Sequence, residues 1–179
     1  MRFSRAPYWL RKCQVSYIVG MGAATLTLTG ELDPRGAWEA TRCTIAQTLD
    51  VVGSRSAFLL MREAFYGTTR FDEFAHRVGI SEPVAAARLK ELVEIGLLER
   101  VPYQEPGQRT RLEYRLTAMG VDFFPALVAL MQWGDRWLEP AGVEMRHRDC
   151  GGSVRAELRC DHGHDIAVGD VDLVPRPRN

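Results

Sequence analysis

Net charge is what this sequence most plainly lacks. Lys plus Arg and Asp plus Glu each total 23, which leaves a formal charge of +0 at pH 7. Such a chain is not drawn to nucleic acid as a polycation, so any nucleic-acid binding must come from a local patch. No run approaches the roughly 18 consecutive apolar residues of a transmembrane helix, so no membrane partner is expected. Cysteine is sparse too. Cys13, Cys43, Cys150 and Cys160 are too few and too scattered for a small disulfide scaffold, which points to a reducing, cytoplasmic setting with free or metal-bound thiols. Also missing are G-x-G-x-x-G, a P-loop, H-E-x-x-H and G-x-S-x-G. Cys43 and His76 could serve as nucleophile and base, but nothing orients the histidine. An enzyme is therefore not expected.

What remains is an ordinary globular composition. The chain has 179 residues, 46% hydrophobic and 26% charged, enough to bury a core without cross-links. Residues 1–39 form an N-terminal extension or arm. Arg2, Arg5, Arg11 and Lys12 precede a mildly apolar run from Val15 to Leu28. That is a signal peptide's order, but Gly20, Gly22, Thr25, Thr27 and Thr29 interrupt the run. A start at Met21 and a partly ordered arm are the two other readings.

The middle of the chain is helical in period. Ala40, Ile45, Ala46, Leu49 and Val52 recur at near-helical spacing up to Gly53. Ser54 is placed to cap a second helix, to about Tyr66, in which Phe58, Leu59, Met61, Ala64 and Phe65 cover a broad arc. A short helix follows at about 71–78, with Phe71, Phe74 and Ala75 inward. Gly79-Ile80-Ser81 is then a sharp turn, with Ser81 as N-cap and Pro83 tolerated in a first turn. Beyond it Ala85, Leu89, Leu92 and Gly96 make one inner stripe, while Pro83, Ala86, Ala87, Lys90 and Glu94 fall opposite. Helix, glycine-containing turn and second helix form a helix-turn-helix pattern.

Leu97–Val101 reads as a short strand, Pro102–Thr110 as a polar loop, and Arg111–Leu116 as a second strand by its period of two. A helix-turn-helix followed by this hairpin is a winged helix. The fold expected is mainly α with a small β-wing. Arg109 and Arg111 stand at the wing tip, within reach of phosphate or a minor groove. Thr117 caps a last helix, about 118–138, which Pro125 should kink. Its apolar residues, from Phe123 and Phe124 to Trp133 and Trp137, cover more than one face. The second face needs a cover, either the same helix of a second copy in a two-fold dimer or the N-terminal arm.

These residues resemble the HxlR-type winged-helix regulators, relatives of the MarR-like regulators, over about residues 43–138. The likeness is carried by Cys43–Ala46 with Leu49–Gly53, Arg70–Phe74, Gly79–Ser81, Arg88–Leu92 with Gly96–Leu98, and Glu113–Thr117 with Gly120. It implies a homodimeric transcriptional regulator that binds double-stranded DNA at a palindromic operator, with half-sites about 34–36 Å apart. It implies dimerisation through the first and last helices, so 40–138 is expected to form one winged-helix domain ending in a dimerisation helix. Some family members sense electrophiles, quinones or oxidants through a cysteine near the start of the first helix, the position of Cys43. A free cysteine is more often a small buried hydrophobe, whereas Arg42 and a helix N-terminus would favour the thiolate. Arg70, Ser81, Lys90, Arg109 and Arg111 are the expected DNA contacts. The chain departs from the family at Arg55-Ser56, where Lys-Trp is usual, and at Glu82–Ala87, where more polar residues are usual. The alternative is a winged-helix sensor or protein-interaction module without sequence-specific DNA binding.

Residues 139–179 begin with a break at Glu139–Gly142. They hold His147-x2-Cys150, then Cys160-x-His162-x-His164. Clustered thiols and imidazoles resemble a small zinc ribbon, with His147, Cys150, Cys160 and either His162 or His164 as ligands of one zinc ion. Val154–Leu158 alternates as a strand does, so a small β-hairpin or ribbon is expected, marginal without a metal. Reduced thiols in a bare hairpin, or a Cys150–Cys160 disulfide, are the other readings. The tail from Val174 is expected to be disordered.

Overall fold

The computed structural model describes residues 25–33, 43–139 and 142–175. Expectations that fall elsewhere lie outside the described residues. These are the arm up to residue 24 with Cys13 and the Met21 start, Ala40 of the first-helix stripe, Arg42 beside Cys43, residues 140 and 141 of the expected break, and the tail from Arg176. The chain divides into two compact units, one of residues 40–127 and one that joins the N-terminal segment to residues 128–179.

The first unit is mainly α with a small β-wing. Its helices are α1 (Thr44–Val52), α2 (Arg55–Phe65), α3 (Phe71–Val78) and α4 (Glu82–Glu94). The hairpin is β2 (Leu98–Tyr103) with β3 (Arg111–Leu116), and α5 (Ala118–Asp122) follows. A last helix, α6 (Phe124–Trp137), runs from this unit into the second. β1 (Thr27–Leu28) and β4 (Asp172–Leu173) belong to the second unit.

Local chemistry accounts for these boundaries. Ser54 Oγ accepts the N–H of Ala57 and starts α2. Gly79 ends α3 with φ +68°, a left-handed turn that glycine adopts at no steric cost, and its N–H returns to the carbonyls of Ala75 and His76. Ser81 is the N-cap of α4, as its position suggested, but its side chain makes no capping hydrogen bond. Proline explains part of this. A cap accepts from the second or third helical N–H, and Pro83 at the second position has none.

The core is shared by all the elements of the winged helix. Leu60, Met61, Phe74, Leu89, Leu92 and Leu98 are at most 1% exposed, and each buried side chain of this kind contributes about 1.5–3 kcal/mol. The α4 stripe lies inward as its spacing required, with Ala85 and Leu89 at 0%. Phe74 and Tyr114 meet edge to face at 5.9 Å, tying α3 to β3. The backbone does the same where Tyr114 N–H donates to the Thr69 carbonyl at 2.9 Å.

Several elements differ from their sequence-based expectation. β2 runs on to Tyr103, through Pro102, instead of stopping at Val101. In a two-stranded ribbon both strands are edges, and a proline opposite Leu112 fits where its missing N–H would have faced outward. The last helix is not one kinked rod. It breaks at Phe123 into α5 and α6, because Pro125 has no N–H for the Val121 carbonyl and its ring crowds that carbonyl. Ile45 and Leu49 of α1, counted with the inward residues, are 69% and 55% exposed, and only Val52 is buried.

In the second unit Val154–Leu158 forms no ladder. Two isolated antiparallel bridges, Arg146 with Ser153 and Arg159 with Asp165, close two tight turns instead. Gln132 explains the difference. Its side chain donates to the Val154 carbonyl and accepts from Ala156 N–H, taking groups that a strand partner would need. The sequence offered no sign that Thr27 and Leu28 pair in parallel with Asp172 and Leu173.

α5 sits where only glycine fits. Thr117 Oγ1 accepts from Gly120 N–H and donates to the Gly96 carbonyl, drawing the helix start onto the end of α4. A Cβ on Gly120 would lie 2.1 Å from the Leu97 carbonyl oxygen. Gly120→Ala should therefore cost about 1–3 kcal/mol, seen as a lower urea midpoint at unchanged slope. An unchanged midpoint would mean that α5 does not press on Leu97.

Candidate nucleic-acid interface

The burial of Ala85, Leu89 and Leu92 turns the other side of α4 outward. Ser81, Glu82, Pro83, Val84, Ala86, Ala87, Lys90 and Glu94 are all exposed. The cations of this helix are held by its own carboxylates. Lys90 Nζ lies 3.6 Å from Glu94, and Arg88 Nη1 lies 2.5 Å from Glu91. With Glu82 added, α4 carries two cations and three carboxylates, so by itself it is no phosphate-binding surface.

The wing is different. The tip between β2 and β3 turns at Gly107, with φ +76°, and is braced where Gln104 donates to the Gln108 carbonyl and Gln108 to Glu105. Arg109 and Arg111 flank this tip and are exposed. Neither is among the arginines that described carboxylates hold in ion pairs. Arg100 of β2 is likewise outside these pairs, but it lies over the Tyr114 ring, 5.7 Å from its centroid, away from the tip.

Arg70 is placed otherwise than its neighbours on the expected contact list. It caps α3, yet its side chain leaves that helix for the wing. The guanidinium lies 3.3 Å from the centroid of the Tyr103 ring, and Nη2 is 3.1 Å from Glu105 Oε1. A planar cation stacked on an aromatic and paired at its edge acts as a strut. Tyr103 and Glu105 were not singled out from sequence. The alternation of β2, had it been followed through Pro102, would have put Tyr103 on one face with Val101.

The remaining candidates lie apart from α4 and the wing. Cys43 is the half-buried N-cap of α1. Thr44, Gln47, Val51, Leu97, Met119 and Phe123 are among the residues lining a cavity of about 360 Å³ beside that cap. In the second unit the expected metal ligands form two groups. His147 Nδ1 is 3.3 Å from Cys150 Sγ, and ligand atoms of Cys160, Asp161 and His162 lie within 4.8 Å of one another. The two groups do not merge into one such cluster, and His164 joins neither.

Residues 51–142 match the model of the HxlR-like helix-turn-helix family. Over 137 residues the chain is 43% identical to Rv3095 of Mycobacterium tuberculosis, described as an uncharacterised HTH-type transcriptional regulator, covering 74% of this chain and 85% of that one. A regulator of the same description from Synechocystis is 32% identical over 103 residues, 57% of this chain and 75% of that one. Among solved structures, PA1607, described as a candidate transcription factor, is 38% identical with a TM-score of 0.67, over 74% of this chain and 94% of that one.

The two arginine environments predict two behaviours. Arg109→Ala should weaken binding to every duplex by a similar factor and reduce the slope of log K against log salt by about 0.9. An unchanged slope would remove Arg109 from the interface. Arg70→Lys keeps the charge but loses the planar stack. It should lose affinity as Arg70→Ala does, and full retention by the lysine variant would make Arg70 a phosphate contact instead.

Proposed function

The chain belongs to the HxlR-like helix-turn-helix family, and on that premise we propose that it acts as a homodimer binding a palindromic operator in double-stranded DNA. The observation that carries this reading is the pairing of an outward α4 face with a wing whose tip holds two free arginines. Ser81, Lys90, Arg109 and Arg111 are its contacts, and Arg70 sets the wing against the helix-turn-helix. It is a cytoplasmic binding protein, not an enzyme. No helix of the described residues is long and apolar enough to cross a membrane.

Dimerisation is supported by apolar surface that no described residue covers. Leu130, Trp133 and Trp137 of α6 fall at i, i+3 and i+7 and are 53%, 57% and 49% exposed. Ile45 and Leu49 add a second such stripe on α1. Contiguous patches of large apolar residues mark interaction sites, and a two-fold axis lets one patch cover its copy.

The same reading gives the regulator a signal. Cys43 at the α1 N-cap, near the 360 Å³ cavity, is suited to an electrophile or a small apolar effector. It also includes zinc. None of the described residues in 142–175 is buried, and Cys150 and Cys160 are free thiols. A segment with no apolar core needs some other tie, and His147, Cys150, Cys160 and His162 are donors of the right kind for Zn²⁺. His162 is preferred to His164 because Cys150 and His162 each directly precede a left-handed glycine, Gly151 at φ +68° and Gly163 at φ +82°.

Three measurements test this. Anisotropy with DNA from upstream of the protein's own gene, against scrambled DNA, should show sequence-dependent binding that diamide weakens through Cys43. No preference at any salt would favour the interaction-module reading, which the three carboxylates of α4 also suit. Trp133→Glu should shift the sedimenting species from dimer to monomer; a wild-type monomer would end the dimer proposal. Protein purified without a histidine tag should carry close to one zinc per chain, lost in Cys160→Ser, and under a tenth of an equivalent would sink the metal site.

A further inference from the structure

The outer face of α4 is unusual for a helix that faces DNA. In its first two turns Ser81 and Glu82 are the only exposed residues with a polar side chain, and Pro83, Val84, Ala86 and Ala87 are exposed and apolar. Val84 alone is 44% exposed. The next polar side chains, Arg88 and Lys90, are tied to Glu91 and Glu94. The N-terminal part of a recognition helix is the part that meets base edges. Here that part can offer one hydroxyl, one carboxylate and a set of methyl and methylene groups.

Those groups have one complementary feature in a major groove. Adenine, guanine and cytosine present acceptors and amino donors, and an apolar side chain pressed on them leaves polar edges unpaired. Thymine alone adds an apolar group, the C5-methyl. We infer that α4 reads its operator chiefly through thymine methyl groups, with Val84 and Ala87 as the specificity-determining contacts and Pro83 packing beside them. The inference rests on the DNA-binding reading above and names what that reading leaves open, the base preference of the half-site. Affinity and base choice then come from separate elements. The wing arginines supply sequence-independent attraction to phosphate, and the low-charge helix face supplies discrimination. Glu82 sharpens that choice, since a carboxylate repels phosphate and accepts only from an amino edge such as that of cytosine.

The test uses full-length protein and a duplex that the protein itself selects from a random library. Each thymine of the selected half-site is replaced in turn by deoxyuridine, which removes the methyl and leaves the hydrogen-bonding pattern intact. Burying one such group is worth about fourfold in affinity, so at least two positions should lose about that factor. Val84→Ala, at an exposed position where folding is not at issue, should shrink the penalty at one of them. Uridine duplexes bound as well as thymine duplexes, with scrambled DNA still rejected, would overturn methyl readout and leave the DNA-binding reading standing. Failure to enrich any duplex would overturn both.

Discussion

The winged helix depends on one constraint, that α4 has a single stripe able to enter the core. Ala85, Leu89 and Leu92 are at most 1% exposed, and their spacing leaves no freedom to rotate the helix without exposing leucine and burying Lys90 or Glu94. Burial of one face therefore assigns the other. It also fixes the turn before the helix, because α3 must pack Phe74 and Val78 into the same core. Gly79 in its left-handed conformation lets the chain reverse in so short a space. The start of the wing follows from the same packing, since Leu97 and Leu98 extend the core directly from the end of α4.

Charge is organised around that geometry. A net charge of +0 leaves no overall attraction to bring DNA to the protein, and carboxylates within α4 pair with its cations. At the wing tip Arg109 and Arg111 meet no carboxylate partner among the described residues, which is why the proposed interface places its phosphate contacts there. Arg70 belongs to neither group. Its stack on Tyr103 and its pair with Glu105 link the start of α3 to the wing. Surface ion pairs alone are worth little. The stack, the partial burial and the backbone bond from Tyr114 to Thr69 make this one a joint.

Much of this was legible in the residues because its causes are local. Period and punctuation located α2, α3, α4 and both wing strands, and the family resemblance rested on the same short-range features. The tip arginines were visible because they flank a glycine-containing turn between two strands. Errors came where a distant group decides a local outcome. Val154–Leu158 has a strand's alternation, yet Gln132 takes its hydrogen-bonding groups. Ile45 and Leu49 have the spacing of a buried stripe, yet none of the described residues covers them.

The sequence by itself determined the order of the winged-helix elements and the inward stripe of α4, since these follow from side-chain volume, backbone freedom and period within a few residues. It marked Pro125 as the place where the last helix is disturbed, but as a kink, whereas the chain breaks at Phe123 into two helices. Only the tertiary structure decided that Arg70 reaches the wing, 35 residues from Glu105 in the chain. Only it decided that Thr27 and Leu28 pair with Asp172 and Leu173, and that the thiols and imidazoles of the C-terminal segment gather as two groups. Long side chains and strand edges can be satisfied by many partners, and which partner arrives is settled by how the core places the backbone.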